Sequence, residues 1–323
     1  MLRMKQKEIP IFFTMDDRYA PYLDCAIRSI VQNASRAHTY KLIVLFQELS
    51  EENKQKIRSG VEAPFQIEFV QMRKGLEQIT DRAENRLRCD YFTMTIYFRL
   101  FIAEMFPQYE KGIYLDSDIV VPGDISELFQ IDLQGNIIGA CRDHSVAAIP
   151  ELLRYMEYAV GVDPKKYINS GVLLMDLKQM RAVKFSEHFL SLLATYHFDC
   201  IAPDQDYINA ICNGKILYLD ECWDTMPPEG GVRELLENPK LIHYNLFQKP
   251  WCYDNIPYEE YFWSYAKKSP FYQQIVREKE GYSEAQKESD RECLRVLVEK
   301  SGVVDRQEVT FRKVREGGER IRL

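Results

Sequence analysis

The chain has 323 residues, of which 46% are hydrophobic and 28% are charged, a composition that excludes intrinsic disorder as its main description. Its apolar runs are about strand length and fall far short of the roughly 20 residues that span a bilayer, so no transmembrane helix is expected. The 42 basic and 49 acidic residues give a formal net charge of −7, which disfavours binding to nucleic acid or to an anionic membrane through overall charge.

The N-terminal segment and the cysteines bear on the cellular compartment. The apolar run from Ile9 to Met15 ends at an Asp-Asp pair and has no small-residue cleavage site, so we expect no secretory signal and a cytoplasmic protein. The eight cysteines are scattered and form no Cys-x-x-Cys pair or zinc-type cluster. They are predicted to be reduced thiols that mostly lie in the core.

The N-terminal third of the chain alternates strand and helix patterns. Ile9 to Met15 predicts a buried strand, and apolar residues at helical spacing from Leu23 to Val31 predict a helix after it. Tyr40 to Phe46 and Phe65 to Val70 predict two further strands, with a helix between them that Ser50 caps. This β-α-β-α-β order favours a parallel sheet with helices on both faces.

The middle of the chain continues in the same way. Thr93 to about Phe106 is predicted as a capped apolar helix, and Gly112 to Leu115 as a short buried strand. Further along, Tyr167 to Leu177 is predicted as a strand, Pro203 opens a helix, and Lys240 to Tyr244 forms another strand.

The composition changes near residue 281. Residues 281 to 323 hold ten basic and nine acidic side chains and only two aromatic ones. We therefore predict a catalytic domain over residues 1–280 and a charged helical extension over 281–323. In that extension, Leu294, Leu297 and Val298 share one face of an appended helix, and a polar segment follows. The balanced charge and few aromatic residues argue against a basic, aromatic membrane anchor.

The triplet Asp116-Ser117-Asp118 follows the predicted strand Gly112 to Leu115, where ligands bind in open α/β sheets. In an extended segment residues i and i+2 project to the same side, so the two carboxylates can converge on one cation. Oxygen ligands select hard ions such as Mg²⁺ or Mn²⁺. Asp204-Gln205-Asp206 is a second triplet of this kind, and the alternative for each is a turn with a capping Asp.

Two further residues fit a site for a metal and a diphosphate. His243 ends an apolar strand, and an imidazole with two carboxylates suits Mn²⁺ better than Ca²⁺. Lys249 offers a flexible positive charge to a phosphate. Taken singly, His243 also fits a packed, hydrogen-bonded histidine, and Lys249 also fits a surface lysine before a turn.

Other polar residues lie at predicted strand and helix ends. Asp16 and Tyr19 follow the first strand, where a base or ribose lies in a nucleotide-binding sheet, but Gly-x-Gly-x-x-Gly and P-loop patterns are absent from the sequence. Asp204 could instead cap a helix that begins at Gln205. Taken one by one, Asp143 and Asn169 fit ordinary loop or cap residues.

The order of six motifs along the chain resembles that of glycosyltransferase family 8, whose members include bacterial lipooligosaccharide galactosyltransferases. The resemblance covers roughly residues 9 to 275, and the six motifs together are specific where each alone is weak. The motifs are Ile11 to Tyr19, Tyr97 to Leu100, Tyr114 to Asp118, Asn169 to Leu174, Asp204 to Asp206, and His243-Tyr244 with Lys249-Pro250-Trp251.

The resemblance implies a Rossmann-like α/β fold of the A type, with a mixed, mostly parallel sheet flanked by helices. It also implies a UDP-sugar donor, dependence on Mn²⁺ with Mg²⁺ as the alternative, and retention of anomeric configuration. By position, Asp116, Asp118 and His243 would hold the metal, and Lys249 would reach the diphosphate.

The remaining donor-binding positions follow from the same resemblance. Residues around uracil and ribose would be Thr14, Asp16, Arg18 and Tyr19. The sugar pocket would be lined by Arg99, Asp143, Asn169, Asp204 and Gln205, with Ser117 and Ser170 in the same donor-binding set. Catalytic roles fall to Gln205, Asp204, Asp143 and Asn169. Because an amide is a poor nucleophile at the Gln205 position, a front-face route, in which the leaving phosphate helps to deprotonate the acceptor, is preferred to a covalent intermediate.

Two positions depart from the family pattern. Arg18 stands where relatives often have Asn, so a changed contact to base or ribose is expected. Leu246 replaces a glycine that is common in the His-x-x-Gly-x-x-Lys-Pro-Trp pattern, so a bulkier loop and a shifted donor are expected.

Three functions are compatible with these residues. The first is a UDP-hexose transferase that moves glucose or galactose to a saccharide or glycolipid acceptor in bacterial surface-polysaccharide assembly, with peripheral contact at the inner face of the membrane as an option. The second is a non-catalytic nucleotide-sugar-binding or scaffold protein. The third, a hydrolase with paired carboxylates, fits poorly because it does not need His243 and Lys249 around a diphosphate.

Overall fold

A computed structural model describes residues 8–72, 94–227 and 234–323. Within these ranges the strands are β1 Glu8–Met15, β2 Thr39–Phe46, β3 Phe65–Gln71, β4 Gly112–Leu115, β5 Ile119–Val120, β6 Ile138–Ala140, β7 Val172–Met175, β8 Ile216–Tyr218 and β9 Ile242–His243. The α-helices are α1 Ala20–Asn33, α2 Glu51–Arg58, α3 Ile102–Met105, α4 Ile125–Gln130, α5 Pro150–Tyr155, α6 Leu177–Ala182, α7 Phe185–Tyr196, α8 Pro203–Ile211, α9 Glu259–Ala266, α10 Tyr272–Glu280, α11 Glu284–Val304 and α12 Phe311–Glu316.

The central sheet of the described chain has seven strands in the order β3-β2-β1-β4-β7-β6-β8. Neighbouring strands are parallel except for β7, which runs antiparallel to β4 and to β6. A second, two-stranded sheet pairs β5 with β9 in antiparallel fashion. The predicted mixed, mostly parallel sheet flanked by helices is confirmed.

Helices cover both faces of the sheet, as the alternation along β1 shows. The side chain of Phe12 packs into one apolar core, and Ile11 and Phe13 pack into the core on the opposite face. All three residues are fully buried, because consecutive side chains of a strand point to opposite faces. Ser50 caps α2 as predicted, since its hydroxyl accepts a hydrogen bond from the Asn53 backbone N–H at 3.3 Å.

Two predicted elements differ from the structure. The strand predicted over Tyr167 to Leu177 is confined to β7, because a 3-10 helix over Pro164–Lys166 precedes this segment and Asp176 caps α6 directly after it. The helix predicted up to Phe106 is a 3-10 helix over Met94–Phe101 followed by α3. The predicted cap of that helix, Thr93, lies outside the described residues.

The segment after residue 280 is more than a polar appendage. Helix α11 begins with a capping box between Ser283 and Gln286. The core on one face of the sheet includes Leu297 on α11 and Phe311 on α12, and the Phe311 ring stacks on Phe198 at 3.9 Å. The few apolar side chains of the segment after α11, such as Phe311 and Ile321, thus pack into the core. The division of the chain at residue 281 stays a prediction.

The cysteines and the helices bear on two other predictions. All seven cysteines in the described ranges are free thiols, and four of them are buried. Cys89 lies outside those ranges. Among the described helices, none is both long enough and apolar enough to cross a membrane.

Candidate active site

A cavity of about 610 Å³ opens where β1 and β4 end. These neighbouring strands run parallel, so the loops that follow them lie side by side. Thr14, Asp16 and Tyr19 line the cavity from the first loop, and Asp116, Ser117 and Asp118 line it from the second. The volume lies within the range of about 300 to 1,000 Å³ that is typical of small-molecule sites.

Asp116, Asp118 and His243 form a group that could hold a metal ion. Each offers one ligand atom, and these atoms lie within 4.8 Å of one another. The His243 Nε2 atom is 3.3 Å from Asp118 Oδ1 and 3.9 Å from Asp116 Oδ2. Two carboxylates and one imidazole are a mixed oxygen and nitrogen ligand set, which suits Mn²⁺ and is compatible with Mg²⁺.

The small sheet explains why His243 meets the triplet although 125 residues separate it from Asp118. Strands β5 and β9 pair so that Ile119 lies opposite His243. The Tyr244 backbone N–H extends this ladder by donating to the Asp118 carbonyl oxygen at 3.0 Å. The imidazole is therefore fixed beside the carboxylates by backbone hydrogen bonds.

Gly171 leaves the space that this group occupies. A Cβ atom at this position would lie 2.3 Å from His243 Cε1, 2.7 Å from Asp116 Oδ2 and 3.0 Å from Asn169 Oδ1. The Gly171 carbonyl oxygen also accepts a hydrogen bond from the Asp116 backbone N–H at 2.8 Å. Only glycine permits this close approach of backbone to the candidate metal ligands.

Asp224 orients His243 from the side away from the cavity. Its Oδ1 lies 3.0 Å from His243 Nδ1, which leaves Nε2 directed at Asp116 and Asp118. Burial disfavours the charged ring, yet the carboxylates of Asp224 and Asp118 raise the pKa of His243 to about 10. Burial likewise works against a charged Asp118, but Lys249 and His243 hold its pKa well below the ordinary value.

Asp116 is held by a buried network. Its Oδ1 accepts hydrogen bonds from Arg99 Nη2 at 2.8 Å and from the Tyr114 hydroxyl at 2.6 Å. The Tyr114 hydroxyl also lies 2.7 Å from Thr14 Oγ1, and the Arg99 guanidinium sits over the Tyr114 ring. These partners are buried and hold Oδ1 of Asp116. The other carboxylate oxygen, Oδ2, is the one that faces His243.

Lys249 stands beside the same carboxylates. Its ammonium group contacts the Asp118 carboxylate and the Tyr244 carbonyl oxygen, and only 9% of the residue is exposed. An anionic group bound at the Asp-Asp-His group would meet this cation directly. Lys249 is thus a buried cation of the cavity and not a surface lysine.

Leu246, which replaces the family glycine, keeps a backbone conformation that glycine favours. Its φ angle is 54°, in the left-handed region, which costs a non-glycine residue about 1–2 kcal/mol. The half-buried side chain lines the cavity and packs against the core. The substitution therefore adds side-chain bulk to the loop while the backbone keeps its left-handed turn.

Gln205 and Asp204 occupy the first turn of α8. Gln205 Oε1 accepts a hydrogen bond from the Ser170 backbone N–H at 3.0 Å, and its Nε2 donates to Asp143 Oδ2 at 3.0 Å. Asp204 Oδ2 lies 3.2 Å from Arg99 Nε and accepts from Ser170 Oγ at 3.0 Å. The helix begins at Pro203 with Ala202 as its N-cap, so the alternative that Asp204 caps it is wrong.

Asn169 and Asp143 lie on the same side of the cavity at different depths. Asn169 lines the cavity, and its Oδ1 accepts from the Gly171 backbone N–H at 2.7 Å. Asp143 lies behind the lining, where its Oδ2 also accepts from Asn169 Nδ2 at 3.4 Å. Asp143 therefore reaches a ligand through Gln205 and Asn169.

The first loop holds the predicted nucleoside residues. Asp16 caps a 3-10 helix over Asp17–Tyr19, and its carboxylate accepts from the backbone and the guanidinium of Arg18 at 3.0 Å each. The Arg18 side chain is 65% exposed and lies outside the cavity lining. Ser117 Oγ donates to the Thr14 carbonyl oxygen at 3.1 Å, which ties the two loops together.

Three features of the site escaped the sequence analysis. Asp224 is a buried carboxylate outside the six motifs, and its partner His243 lies 19 residues away. Tyr114 stands in one of the motifs but was given no role of its own, and its hydroxyl reaches Thr14, 100 residues away. Helix α11 contributes Ser289, Asp290 and Cys293 to the cavity lining, next to Tyr282. The spacing of its apolar residues predicted an amphipathic helix, but nothing in the sequence indicated that this helix lines the cavity.

Solved glycosyltransferases of the GT-A type share this fold. The structure is similar to that of the galactosyltransferase LgtC in complex with donor and acceptor sugar analogs, with a TM-score of 0.68 and 25% identity over 81% of this chain and 96% of that chain. It is also similar to the apo structure of the bifunctional glycosyltransferase WbbM, with a TM-score of 0.73 and 21% identity over 87% of this chain and 53% of that one.

The chain belongs to glycosyl transferase family 8, whose sequence profile matches residues 10–255. It is 27% identical over 287 residues to general stress protein A of Bacillus subtilis, covering 82% of this chain and 96% of that protein. It is 29% identical over 187 residues to the lipopolysaccharide 1,2-glucosyltransferase of Escherichia coli, covering 52% of this chain and 53% of that protein. The chain thus spans about half of the Escherichia coli relative. The family resemblance predicted from the six motifs is confirmed.

Proposed function

We propose that the chain transfers a hexose, glucose or galactose, from a UDP-sugar to a saccharide or glycolipid acceptor, with retention of configuration and with Mn²⁺ as cofactor. The names of the relatives support this choice, since they include a lipopolysaccharide glucosyltransferase and a galactosyltransferase. A role in bacterial surface-polysaccharide assembly follows from the same relatives. The predicted cytoplasmic location, with peripheral membrane contact, stays a prediction.

The observation that carries the proposal is the concentration of opposite charges at one end of the cavity. Asp116, Asp118 and His243 form the candidate metal group, and the ammonium of Lys249 touches Asp118. A divalent cation there would neutralise a diphosphate and lower the cost of its departure. Lys249 adds a second positive charge, which would bind the same diphosphate from the protein side.

The residues around the proposed sugar pocket favour the front-face route. Asp204 is paired with Arg99, and Asp143 accepts hydrogen bonds from Gln205 and Asn169. Both carboxylates are thus engaged by protein donors, which makes them poor nucleophiles. The Gln205 amide is a weak nucleophile, and its oxygen already accepts from the Ser170 backbone N–H. We therefore assign Gln205 to positioning the sugar, while the leaving phosphate takes the acceptor proton.

The experiment is UDP release from UDP-glucose and UDP-galactose by the purified chain, with Mn²⁺, with Mg²⁺ and with a chelator. We expect slow release from one donor without acceptor, strongest with Mn²⁺ and abolished by the chelator. Release that continues unchanged in chelator would contradict the metal-dependent proposal. Tight UDP-sugar binding with no release, with or without saccharide acceptors, would instead favour the non-catalytic binding protein.

A further inference from the structure

Helix α11 is fixed on two sides of the cavity. Near its N-terminus, Asp290 Oδ2 accepts hydrogen bonds from the hydroxyls of Tyr253 and Tyr282 at 2.6 and 2.7 Å. Tyr253 follows the Lys249 to Trp251 segment that lines the cavity. Toward the C-terminus, Lys300 donates to the Cys200 carbonyl oxygen at 3.0 Å, on the segment that leads to α8. The helix therefore bridges the diphosphate side and the sugar side.

The surface that α11 adds to the cavity has its own chemistry. Tyr282, Ser289, Asp290 and Cys293 line the cavity together, and we call them the α11 wall. None of the four is basic, and Asp290 supplies a negative charge. Within the described part of the chain, Asp290 Oδ1 receives no hydrogen bond from the protein, so this oxygen remains available to accept one.

Charge separates this wall from the proposed donor end. Apart from the candidate ligand His243, the basic side chains among the described lining residues are Arg99 and Lys249, which pair with Asp116 and Asp118. A diphosphate would bind there and would be repelled by Asp290. The α11 wall instead offers a carboxylate acceptor, a hydroxyl and an aromatic ring. This combination suits the hydroxyl donors and the apolar face of an uncharged sugar.

We infer that the α11 wall is the binding subsite for a neutral saccharide acceptor. The inference rests on the proposed glycosyl transfer, because an acceptor is needed only if the chain transfers a sugar. Asp290 accepts hydrogen bonds from acceptor hydroxyls, and Tyr253 and Tyr282 hold its carboxylate in place. The wall lies outside residues 10–255, the range that the family profile matches. This subsite is therefore a contribution of the C-terminal helices to acceptor choice.

The test compares transfer by the full chain and its variants to four saccharide probes. The probes are the methyl glycosides of glucose, galactose and glucuronic acid, and lactose, with UDP-glucose or UDP-galactose as donor. Asp290→Asn keeps the shape of the side chain and removes its charge. The control is Glu288→Gln, the same change at an exposed position of α11 outside the cavity lining.

We expect the wild-type chain to prefer a neutral probe over the glucuronide. Asp290→Asn raises the KM for the neutral acceptor about tenfold, since a hydrogen bond to a charged group is lost. The ratio of kcat/KM for the neutral probe to kcat/KM for the glucuronide also falls, because the negative charge that repels the glucuronide is gone. The KM for the donor changes less than about twofold. Tyr282→Phe raises the acceptor KM by a smaller factor, because Asp290 loses one of the two hydrogen bonds that hold its carboxylate in place. Glu288→Gln matches the wild type.

Other outcomes overturn the inference. An unchanged acceptor KM in a folded Asp290→Asn chain contradicts it, as does a wild-type preference for the glucuronide. A donor KM that rises in parallel assigns the wall to the nucleoside instead. If the chain releases UDP from a donor but uses none of the four saccharides, the inference fails and the proposed function stands. If it neither releases UDP nor transfers a sugar, the proposed function itself fails.

Discussion

The chain contains two Asp-x-Asp triplets whose carboxylates have different surroundings. Asp116 and Asp118 flank Ser117 in the short loop between β4 and β5, and both face His243; we call these three residues the loop triplet. Asp204 and Asp206 lie in the first turn of α8. The loop turns both carboxylates toward His243, whereas side chains i and i+2 of a helix are rotated by about 200° from each other.

The two carboxylates of the Asp204-Gln205-Asp206 triplet, the helical triplet, therefore lie in different surroundings. Asp204 pairs with Arg99 and accepts from Ser170 at the cavity. Asp206 is fully buried and accepts from the hydroxyls of Tyr155 and Tyr167 and from the Ala202 backbone N–H, at 2.8, 2.6 and 3.0 Å. The comparison teaches that the backbone, and not the triplet itself, decides whether two carboxylates can share a cation.

The largest expected effect is on the loop triplet. Asp118→Asn lowers Mn²⁺-dependent turnover at least about 100-fold, because it removes a charged ligand and the partner of Lys249. Steady-state UDP release measures the loss, and circular dichroism checks the fold. Asp132→Asn, an exposed carboxylate outside the cavity lining, is the matched control. Full activity in a folded Asp118→Asn chain would contradict the assignment of Asp118 as a metal ligand.

A substitution at Asp206 in the helical triplet is expected to lower the stability of the fold and to leave metal binding unchanged. Asp206→Asn lowers the free energy of unfolding by about 2 kcal/mol, because an amide cannot accept from all three buried donors. Chemical denaturation measures the change, with Asp132→Asn again as the control. The midpoint of Mn²⁺ activation should stay at the wild-type value. A shifted midpoint with unchanged stability would reverse the roles of the two triplets.

Gly171→Ala tests the space around the loop triplet. The added Cβ would lie 2.3 Å from His243 and 2.7 Å from Asp116, so the ligands must move apart and Mn²⁺ affinity falls about tenfold. Gly302→Ala on α11 is the control, because its added Cβ meets no described atom within 4 Å. Calorimetric titration with UDP present gives both affinities. Equal affinities in the two variants would show that Gly171 is not needed for metal binding.

The smallest expected effect is a pH dependence of metal binding at the loop triplet and His243. Burial opposes protonation of His243, but Asp224 and Asp118 raise its pKa to about 10. A metal needs the unprotonated Nε2, so binding displaces a proton below that pKa, and affinity rises with pH between about pH 6 and 8, by at most about tenfold per pH unit. A Mn²⁺ affinity that stays constant over this range would count against His243 as a ligand.

The sequence predicted best where the chain follows local patterns. Strands β1 and β2, the Ser50 cap of α2 and the start of α8 at Pro203 all follow from apolar runs or capping residues. The placement of Asp116 to Asp118 at a strand end followed from the same reasoning. Periodicity is a local signal, so it performs well for elements of this kind.

The parts that escaped depend on contacts between distant residues. The sequence predicts one strand from Tyr167 to Leu177, whereas β7 covers only Val172–Met175 and ends where Asp176 caps α6. Asp224 acts on His243, and the Tyr114 hydroxyl links Asp116 to Thr14 of the neighbouring strand. The packing of Phe311 on Phe198 was hidden because a charged tail with two aromatic residues resembles a solvent-exposed segment.

The most direct test of the account is Mn²⁺ binding, measured by electron paramagnetic resonance with UDP present, in three versions of the chain. The account predicts one tight site in the wild type, its loss in Asp118→Asn, and its retention with wild-type affinity in Asp206→Asn. Retention of the site in a folded Asp118→Asn chain, or its loss in a folded Asp206→Asn chain, would contradict the claim that the loop triplet holds the metal.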